Sequence, residues 1–392
     1  MDIAAVKDRV ADDVLGRSET LLDVSHQIWA RPELAYEEHF AHDLLTAAIE
    51  AAGLEVERGA FGLPTAFRAE AGSEGPRIAV CLEYDALPEI GHACGHNVIA
   101  AAGLGAGLTA AALAAELGGR VVLLGTPAEE GGGGKVLMIQ RGAFDDLDAA
   151  MMIHPADAEL DSFTAIAVHQ LRCEYHGRAA HAAAAPHLGI NALDAAVLGY
   201  NSVAALRQHI RGHERIHGIF THGGDKPNVV PHRASMEWYI RSGTSASLAD
   251  LEPRVLAALQ AGALATGATL TVEWDDTPYD DLVDLSSFNA AYISNIAARG
   301  RIARSKAERP ELMGSTDMGN VSHLVPSIHP MIAVAPEGVA IHTPAFAEHA
   351  RSEAADRAVV DGAIAMASTI VDLWTDPALL DRVREEFSAV TR

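Results

Sequence analysis

The sequence predicts an α/β enzyme fold, and three features carry that expectation. Apolar, β-prone runs alternate with amphipathic helices, chemistry-bearing residues stand at the carboxyl ends of those runs, and the pattern breaks in the middle of the chain. The alternation runs to about residue 167. A strand, helix, strand, strand, helix, strand order then fills 168–279, with 189–211 and 248–265 as its helices, and the first pattern resumes over 280–392. No Ser/Gly/Pro-rich spacer, repeat or low-complexity tract separates the parts. The expected architecture is a catalytic domain with a central mixed sheet flanked by helices, built from 1–167 and 280–392. A smaller α+β unit at 168–279 interrupts it.

The first chemistry follows the apolar strand at 77–82. In Tyr84-Asp-Ala-Leu-Pro-Glu-Ile-Gly-His-Ala-Cys-Gly-His-Asn97, Cys94 and His96 form a compact sulfur-plus-imidazole donor set, and the Ala- and Gly-rich stretch from Val98 onward has helical character. A strand-to-helix loop is where α/β folds place active sites. Taken alone, the triplet also reads as a buried Cys beside a helix-capping His.

A second apolar strand, 121–125, ends in Thr-Pro-Ala-Glu129-Glu130 and a glycine run. Neighbouring side chains in extended backbone point opposite ways, so one carboxylate can bind a metal while the other faces substrate as a general base. A solvated acidic loop is the bland alternative. A third strand, 149–153, delivers His154 at its carboxyl end, and Ile341-His342-Thr-Pro offers another imidazole far downstream. Three strand ends thus point to metal chemistry.

Supporting segments are Trp29-Ala-Arg-Pro-Glu-Leu-Ala-Tyr-Glu-Glu38, Gly177-Arg-Ala-Ala-His181, Pro227-Asn228-Val-Val-Pro231 and Gly314-Ser-Thr-Asp317-Met-Gly-Asn320. With them, the chain resembles, nearly end to end, the aminoacylase/carboxypeptidase family of di-metal peptidases, in its cysteine-containing amidohydrolase branch. Within that branch the Cys-Gly-His-Asn and Gly-Ser-Thr-Asp-Met-Gly-Asn motifs are more similar to the β-alanyl-lysine dipeptidase and p-aminobenzoyl-glutamate hydrolase group than to the indole-acetyl-amino-acid hydrolases.

The resemblance implies two divalent ions held by Cys94, His96, Glu130, His154 and His342, with Glu129 as general base. It implies that Asp85 orients a metal-binding residue, although a turn Asp before Leu-Pro reads the same. One thiolate with imidazoles and carboxylate suits zinc, cobalt or manganese. His181 corresponds to a lid-domain His that reaches the reacting carbonyl oxygen as an oxyanion donor, often across a dimer interface. Asn228 resembles the family's substrate-anchoring Asn, and Arg241 stands where relatives bind a carboxylate. A homodimer through the lid domain is implied as well. Asn97 replaces an Asp that many relatives carry, which is expected to remove negative charge near the metals.

Several residues take plainer readings. Arg207, Arg211 and Arg215 interleave the helix-spaced cluster of His209, His213, His217, His222 and His232, so a solvated face is expected there. His92 and His187 read as hydrogen-bonding supports, and Cys81 and Cys173 as small core residues.

Composition sets the frame. The chain has 392 residues and a formal charge of −24, which argues against nucleic acid and anionic membrane surfaces. Three cysteines give no disulfide framework, and the start lacks a signal-peptide pattern, so a cytoplasmic enzyme is expected. The apolar stretch 98–115 reads as a tightly packed helix rather than a membrane span. The expected reaction is hydrolysis of a dipeptide or N-acyl amino acid. Aryl-acyl-glutamate or indole-acetyl conjugates are the alternative substrates, and a non-catalytic metal-dependent binding protein is the rival of another class.

Overall fold

The computed structural model describes residues 2–391. The chain divides into two compact units, one formed by the residues up to Thr164 together with those from Leu282 on, the other by Ala165–Asp281.

The larger unit is built on a six-stranded sheet in the order Val56–Arg58, Phe67–Ala71, Arg120–Gly125, Arg77–Leu82, Ala149–Met151, Ser327–Ile328. The first two strands run antiparallel to their neighbours and the remaining four are mutually parallel, so the sheet is mixed. The central strands are buried along nearly their whole length, which is why they read as continuous apolar runs rather than as alternating ones. Their register pairs Leu82 with Gly125 and Val80 with Met151. The carboxyl ends that carry the motifs therefore lie side by side. A further parallel pair, His154–Ala156 with Met331–Ala333, extends this edge.

The Ala- and Gly-rich segment forms the helix His96–Leu117, packed between the sheet and the helices Ile3–Ala30 and Glu353–Thr375. Its composition follows from close approach. A Cβ on Gly107 would lie 2.4 Å from Leu123 Cγ, and one on Gly105 would lie 2.7 Å from a Leu21 methyl. Two helices, His96–Leu117 and Glu353–Thr375, are long and apolar enough to cross a bilayer, yet 83% and 78% of their apolar windows are buried inside the protein. They are core helices.

The smaller unit has a four-stranded antiparallel sheet in the order Thr269–Trp274, Ala167–His176, Arg233–Ser242, Arg215–His222. Its helices Ala192–Leu206 and Ser245–Thr266 pack on each other and on one sheet face, over Leu171, Cys173, Tyr175, Met236, Trp238 and Ile240. The element order matches the sequence pattern, but the helix limits differ. Asn191 caps the first helix by accepting from Leu193 N and Asp194 N, and a single 3-10 turn, Arg207–His209, ends it. Thr244 caps the second through Ser247 N, so that helix begins at Ser245, three residues before the expected start at 248. The histidine cluster is consequently not a helical face: His217 and His222 stand on the strand Arg215–His222.

One histidine in this unit is tied at both ring nitrogens. His169 Nδ1 stands 2.8 Å from Glu252 Oε1 and Nε2 stands 2.9 Å from the Asp275 carbonyl oxygen. Both partners are acceptors, so the doubly protonated ring satisfies the pocket. Burial works against that charge, but the Glu252 carboxylate and the Asp275 carbonyl outweigh it and the pKa is raised. A raised folded-state pKa contributes stability that is fully present below the ordinary imidazole value and is lost as pH rises through the folded value. The melting temperature of the native protein should therefore fall toward that of His169→Gln as pH rises above the ordinary imidazole value of about 6.5. Thermal unfolding of both proteins across that range checks it, and a gap independent of pH would refute the charged state.

Candidate metal centre and active site

Cys94 and His96 are presented by a turn that only glycine fits. Gly95 has φ 80°, and a Cβ there would lie 2.8 Å from Pro155 Cβ. The helix begins at His96, whose Nδ1 stands 2.9 Å from Asp85 Oδ1; Asp85 Oδ2 accepts from Glu130 N at 2.9 Å. His154 Nδ1 donates to the Pro155 carbonyl at 2.8 Å, which leaves Nε2 as the lone-pair nitrogen, 3.3 Å from Cys94 Sγ. His342 has φ 61°, a left-handed conformation unusual for a side-chain-bearing residue, and its amide donates to Ala93 O at 2.8 Å. Its Nε2 stands 3.2 Å from Glu130 Oε1.

Glu129 and Glu130 do not lie in extended backbone. They form a turn after Ala128, which has φ 59°, so the expectation of opposed side chains is overturned. Both carboxylates converge on His96 Nε2, at 3.8 Å for Glu129 Oε2 and 4.0 Å for Glu130 Oε1. Glu38 fixes the turn. Its buried carboxylate accepts from Ala128 N at 2.9 Å and from Thr65 Oγ1 at 2.8 Å, and burial pushes its pKa up to about 7. The two adjacent glutamates are driven in opposite directions. Burial and the negative charges of Glu83, Glu130 and Asp317 hold Glu129 well above the carboxylate range, whereas for Glu130 burial is outweighed by His342 and His96 and the pKa falls.

Donor atoms gather in three overlapping sets, Cys94 with His96 and His154, Cys94 with Glu130 and His342, and His96 with Glu129 and Glu130, each within 4.8 Å. His96 Nε2 is buried and makes no hydrogen bond, and an unsatisfied buried polar atom is costly unless something pairs with it. Soft sulfur, two imidazoles and a carboxylate are a donor set that fits divalent transition metals. Burial and the neighbouring Glu130 raise the Cys94 thiol pKa, a bias that a coordinating cation would reverse. Burial lowers His154 to about 4, so its imidazole stays neutral.

Other residues resolve differently from the sequence reading. Asn97 sends its amide to Ser25 Oγ at 2.9 Å and Ala350 O at 2.8 Å, into helix packing, so the charge it lacks is not one directed at the donor cluster. His92 is a support, with Nε2 3.1 Å from Ile28 O, while His187 is exposed. Cys81 and Cys173 are buried core thiols, each pushed up to about 12 by burial.

Three groups escaped sequence reasoning. Glu83, Lys135 and Asp317 form a fully buried ionic triad beside His96. His329 is buried with neither ring nitrogen hydrogen-bonded, stacked 5.3 Å from the His154 ring. Asp157 accepts from buried Arg309. The only available signal was charge inside otherwise apolar motifs, as in Gly134-Lys135-Val136.

In the smaller unit, the strand Ala167–His176 stops short of His181, which lies in an exposed loop bridged to Val229. Its Nδ1 accepts from Ala183 N and Ala184 N, so in the neutral ring Nε2 carries the proton. Ala182 N donates to Asn228 O at 3.0 Å, which brings His181 and Asn228 together. Arg241 is elsewhere. It stands on the strand Arg233–Ser242, its guanidinium 5.8 Å from the Tyr239 ring, paired in register with Val168 and Arg215. The Arg233 end of that strand is the one facing the His181 loop, and Arg241 is roughly 27 Å further along at the rise per residue of a strand.

Comparison with known proteins agrees with this geometry. Mouse Xaa-Arg dipeptidase is 41% identical over 98% of this chain and 93% of its own length. A p-aminobenzoyl-glutamate hydrolase component from Escherichia coli K12 is 31% identical over 98% of this chain and 95% of its own length. A dinuclear metal-binding peptidase of the M20 family from Bacillus subtilis shares the fold at a TM-score of 0.66, with 19% identity over 89% of this chain and 98% of that one. The family model for peptidase family M20/M25/M40 matches residues 82–371. The chain belongs to that family, as a metal-dependent hydrolase of carbon–nitrogen amide bonds.

Proposed function

We propose that the protein is a dipeptidase in which Cys94, His96, Glu130, His154 and His342 hold two divalent ions and Glu129 moves the proton. The observation that carries the reading is the convergence of those donors at one sheet edge, with Glu129 among them and its pKa displaced opposite to that of Glu130. When bound, the ions supply Lewis acidity to the scissile carbonyl and to water. Asp85 holds His96 with Nε2 facing inward and pins the Glu130 backbone, so both donors are presented without rearrangement. Ionised once two bound cations offset the burial and carboxylate charges that raise its pKa, Glu129 would accept a proton from the attacking water and return it to the leaving amine. Zinc, manganese and cobalt all fit the donors, and three cysteines without disulfides are compatible with a cytoplasmic setting.

Removal of metal by a chelator should abolish turnover, and added divalent metal should restore it. Glu129→Gln should retain its ions and lose turnover by about 10²–10⁴-fold. Glu130→Gln and Cys94→Ser should lose metal, whereas Cys81→Ser should not. Elemental analysis beside steady-state kinetics separates these outcomes, and near-normal turnover of Glu129→Gln would place the base elsewhere.

For the substrate we infer a dipeptide with a cationic carboxyl-terminal residue, the class named for the mouse relative. A formal charge of −24 draws in a cationic substrate and repels an anionic glutamate conjugate at long range. The second reading, an aryl-acyl glutamate, is favoured by the Escherichia coli relative. A dipeptide panel ending in Arg, Lys or Glu, run beside p-aminobenzoyl-glutamate, should give the highest kcat/KM for the cationic members. That preference should shrink as ionic strength rises. Faster cleavage of p-aminobenzoyl-glutamate would transfer the assignment to the second reading.

We also infer that two copies cooperate. A dipeptide backbone spans about 7 Å, whereas one copy separates Arg241 from the His181–Asn228 pair by far more. If Arg241 and Asn228 hold one substrate while His181 Nε2 donates to the oxyanion, these groups come from different subunits of a homodimer. Mixing inactive His181→Ala with inactive Glu129→Gln under conditions that exchange subunits should then restore part of the activity. No recovery with exchange demonstrated would confine His181 to its own chain's chemistry.

A further inference from the structure

Glu83 is the first residue after the central strand Arg77–Leu82, and its side chain is fully buried. Its Oε1 accepts a hydrogen bond from Lys135 Nζ. Lys135, near the start of the helix Gly134–Gln140, is equally buried; its Nζ donates to Asp317 Oδ1 at 2.6 Å and its backbone N to Asp317 Oδ2 at 2.8 Å. One cation is thus enclosed by two carboxylates. Both oxygens of Asp317 and one of Glu83 are used. The remaining oxygen, Glu83 Oε2, is buried without a hydrogen-bond partner and stands 3.6 Å from His96 Nε2, which also lacks one.

A buried carboxylate oxygen without a hydrogen bond, facing an equally unpaired buried imidazole nitrogen, marks a place where a cation is favoured. The spacing agrees with that. Two ligand atoms each about 2.1 Å from one tetrahedral ion stand about 3.4 Å apart, close to the observed separation. Lys135 decides which oxygen faces His96, because it ties down Oε1 and leaves Oε2 pointing to the cluster. Asp317, held from two sides, fixes Lys135.

We propose that Glu83 is a further carboxylate donor to the metal centre, contacting through Oε2 the ion that His96 binds, with Lys135 and Asp317 as positioning residues that hold it there. The proposal rests on the metal-dependent reading above and adds a residue to it. The ion on the His96 side would take charge from Glu83 and sulfur from Cys94, so the triad offsets the ion and not only Lys135.

The test uses full-length protein stripped with a chelator and titrated calorimetrically with Zn²⁺, together with the d–d absorption spectrum of the Co²⁺-loaded form. Glu83→Gln should weaken the affinity of one of two sites by about 10- to 100-fold, the range seen when a group supporting a metal site is removed, and should change the Co²⁺ spectrum. Glu83→Asp keeps the charge opposite Lys135 but withdraws the oxygen by one methylene; it should show the same loss and serves as the decisive variant if the Gln form fails to fold. Lys135→Met/Asp317→Asn removes one charge of each sign while keeping Glu83, and should perturb the Co²⁺ spectrum with both ions retained. Unchanged affinity and spectrum in a folded Glu83→Asp or Glu83→Gln protein overturns the proposal and confines Glu83 to balancing Lys135. A wild-type protein that binds no ion overturns the metal-dependent reading itself and this proposal with it.

Discussion

Asp85 is held ionised in a fully buried position, and the geometry of the donor cluster depends on that. Burial alone would protonate it, but the His96 ring and the Glu130 amide act on its two oxygens and keep its pKa low. Each contact constrains a different strand end: His96 opens the helix reached by the loop after Arg77–Leu82, and Glu130 lies in the turn after Arg120–Gly125. The carboxylate therefore sets the register between two loops that share no sequence neighbourhood. In the neutral ring it also settles the His96 tautomer, since a carboxylate can only accept, and so aims the Nε2 lone pair inward. Without it, ring and turn would each be free to relax away from the cluster.

The cluster carries more negative charge than its own cations offset. Glu83, Asp85 and Asp317 are buried with Glu130 beside them, while Glu129 is held toward its neutral form, and the cations among them are Lys135 and the His96 ring, whose pKa the Asp85 carboxylate raises against burial. Fixed positions in such a group are unfavourable without further positive charge, and the backbone shows corresponding strain at Ala128 and His342, both in left-handed conformation without being glycine. Strain of this kind persists only where surrounding contacts over-determine it. Here Glu38 bonded to Ala128 N and the Ala93 carbonyl bonded to His342 N do so. The protein thus stores unfavourable geometry and unfavourable charge in the same place, as a site built to receive cations would.

How much of this the sequence disclosed depended on distance along the chain. Cys94-Gly-His96 and Glu129-Glu130 were legible because each is a contiguous motif at the end of an apolar strand, and the strand ends meet by simple parallel pairing. The lid element order was legible for the same reason, since period-2 and helical runs are local. Glu83, Lys135 and Asp317 were not, because their contacts span 52 and 182 positions and only the fold brings them together. The Glu129–Glu130 turn was misread because the left-handed Ala128 before it has no compositional mark. Asn97 was misread because its position after His96 suggested proximity to metal, whereas helix geometry turns the next side chain toward Ser25 and Ala350.

Net charge and local charge act at different ranges, and this limits what each can decide. At physiological ionic strength the screening length is about 8 Å, so dispersed surface acids mainly influence the encounter with a substrate. Discrimination at the bond to be cleaved must come from fixed partners within hydrogen-bonding distance, the part proposed above for Arg241 with a carboxylate that the rest of the protein repels. Half-burial makes that cation more effective, because it removes competing water and lowers the guanidinium pKa without coming close to neutralising it. On the proposed reading, an acidic surface with a few enclosed cations would suit a zwitterionic dipeptide, attracted by its positive side chain and anchored by its terminal carboxylate. A dianionic conjugate would meet the same anchors but lose the attraction.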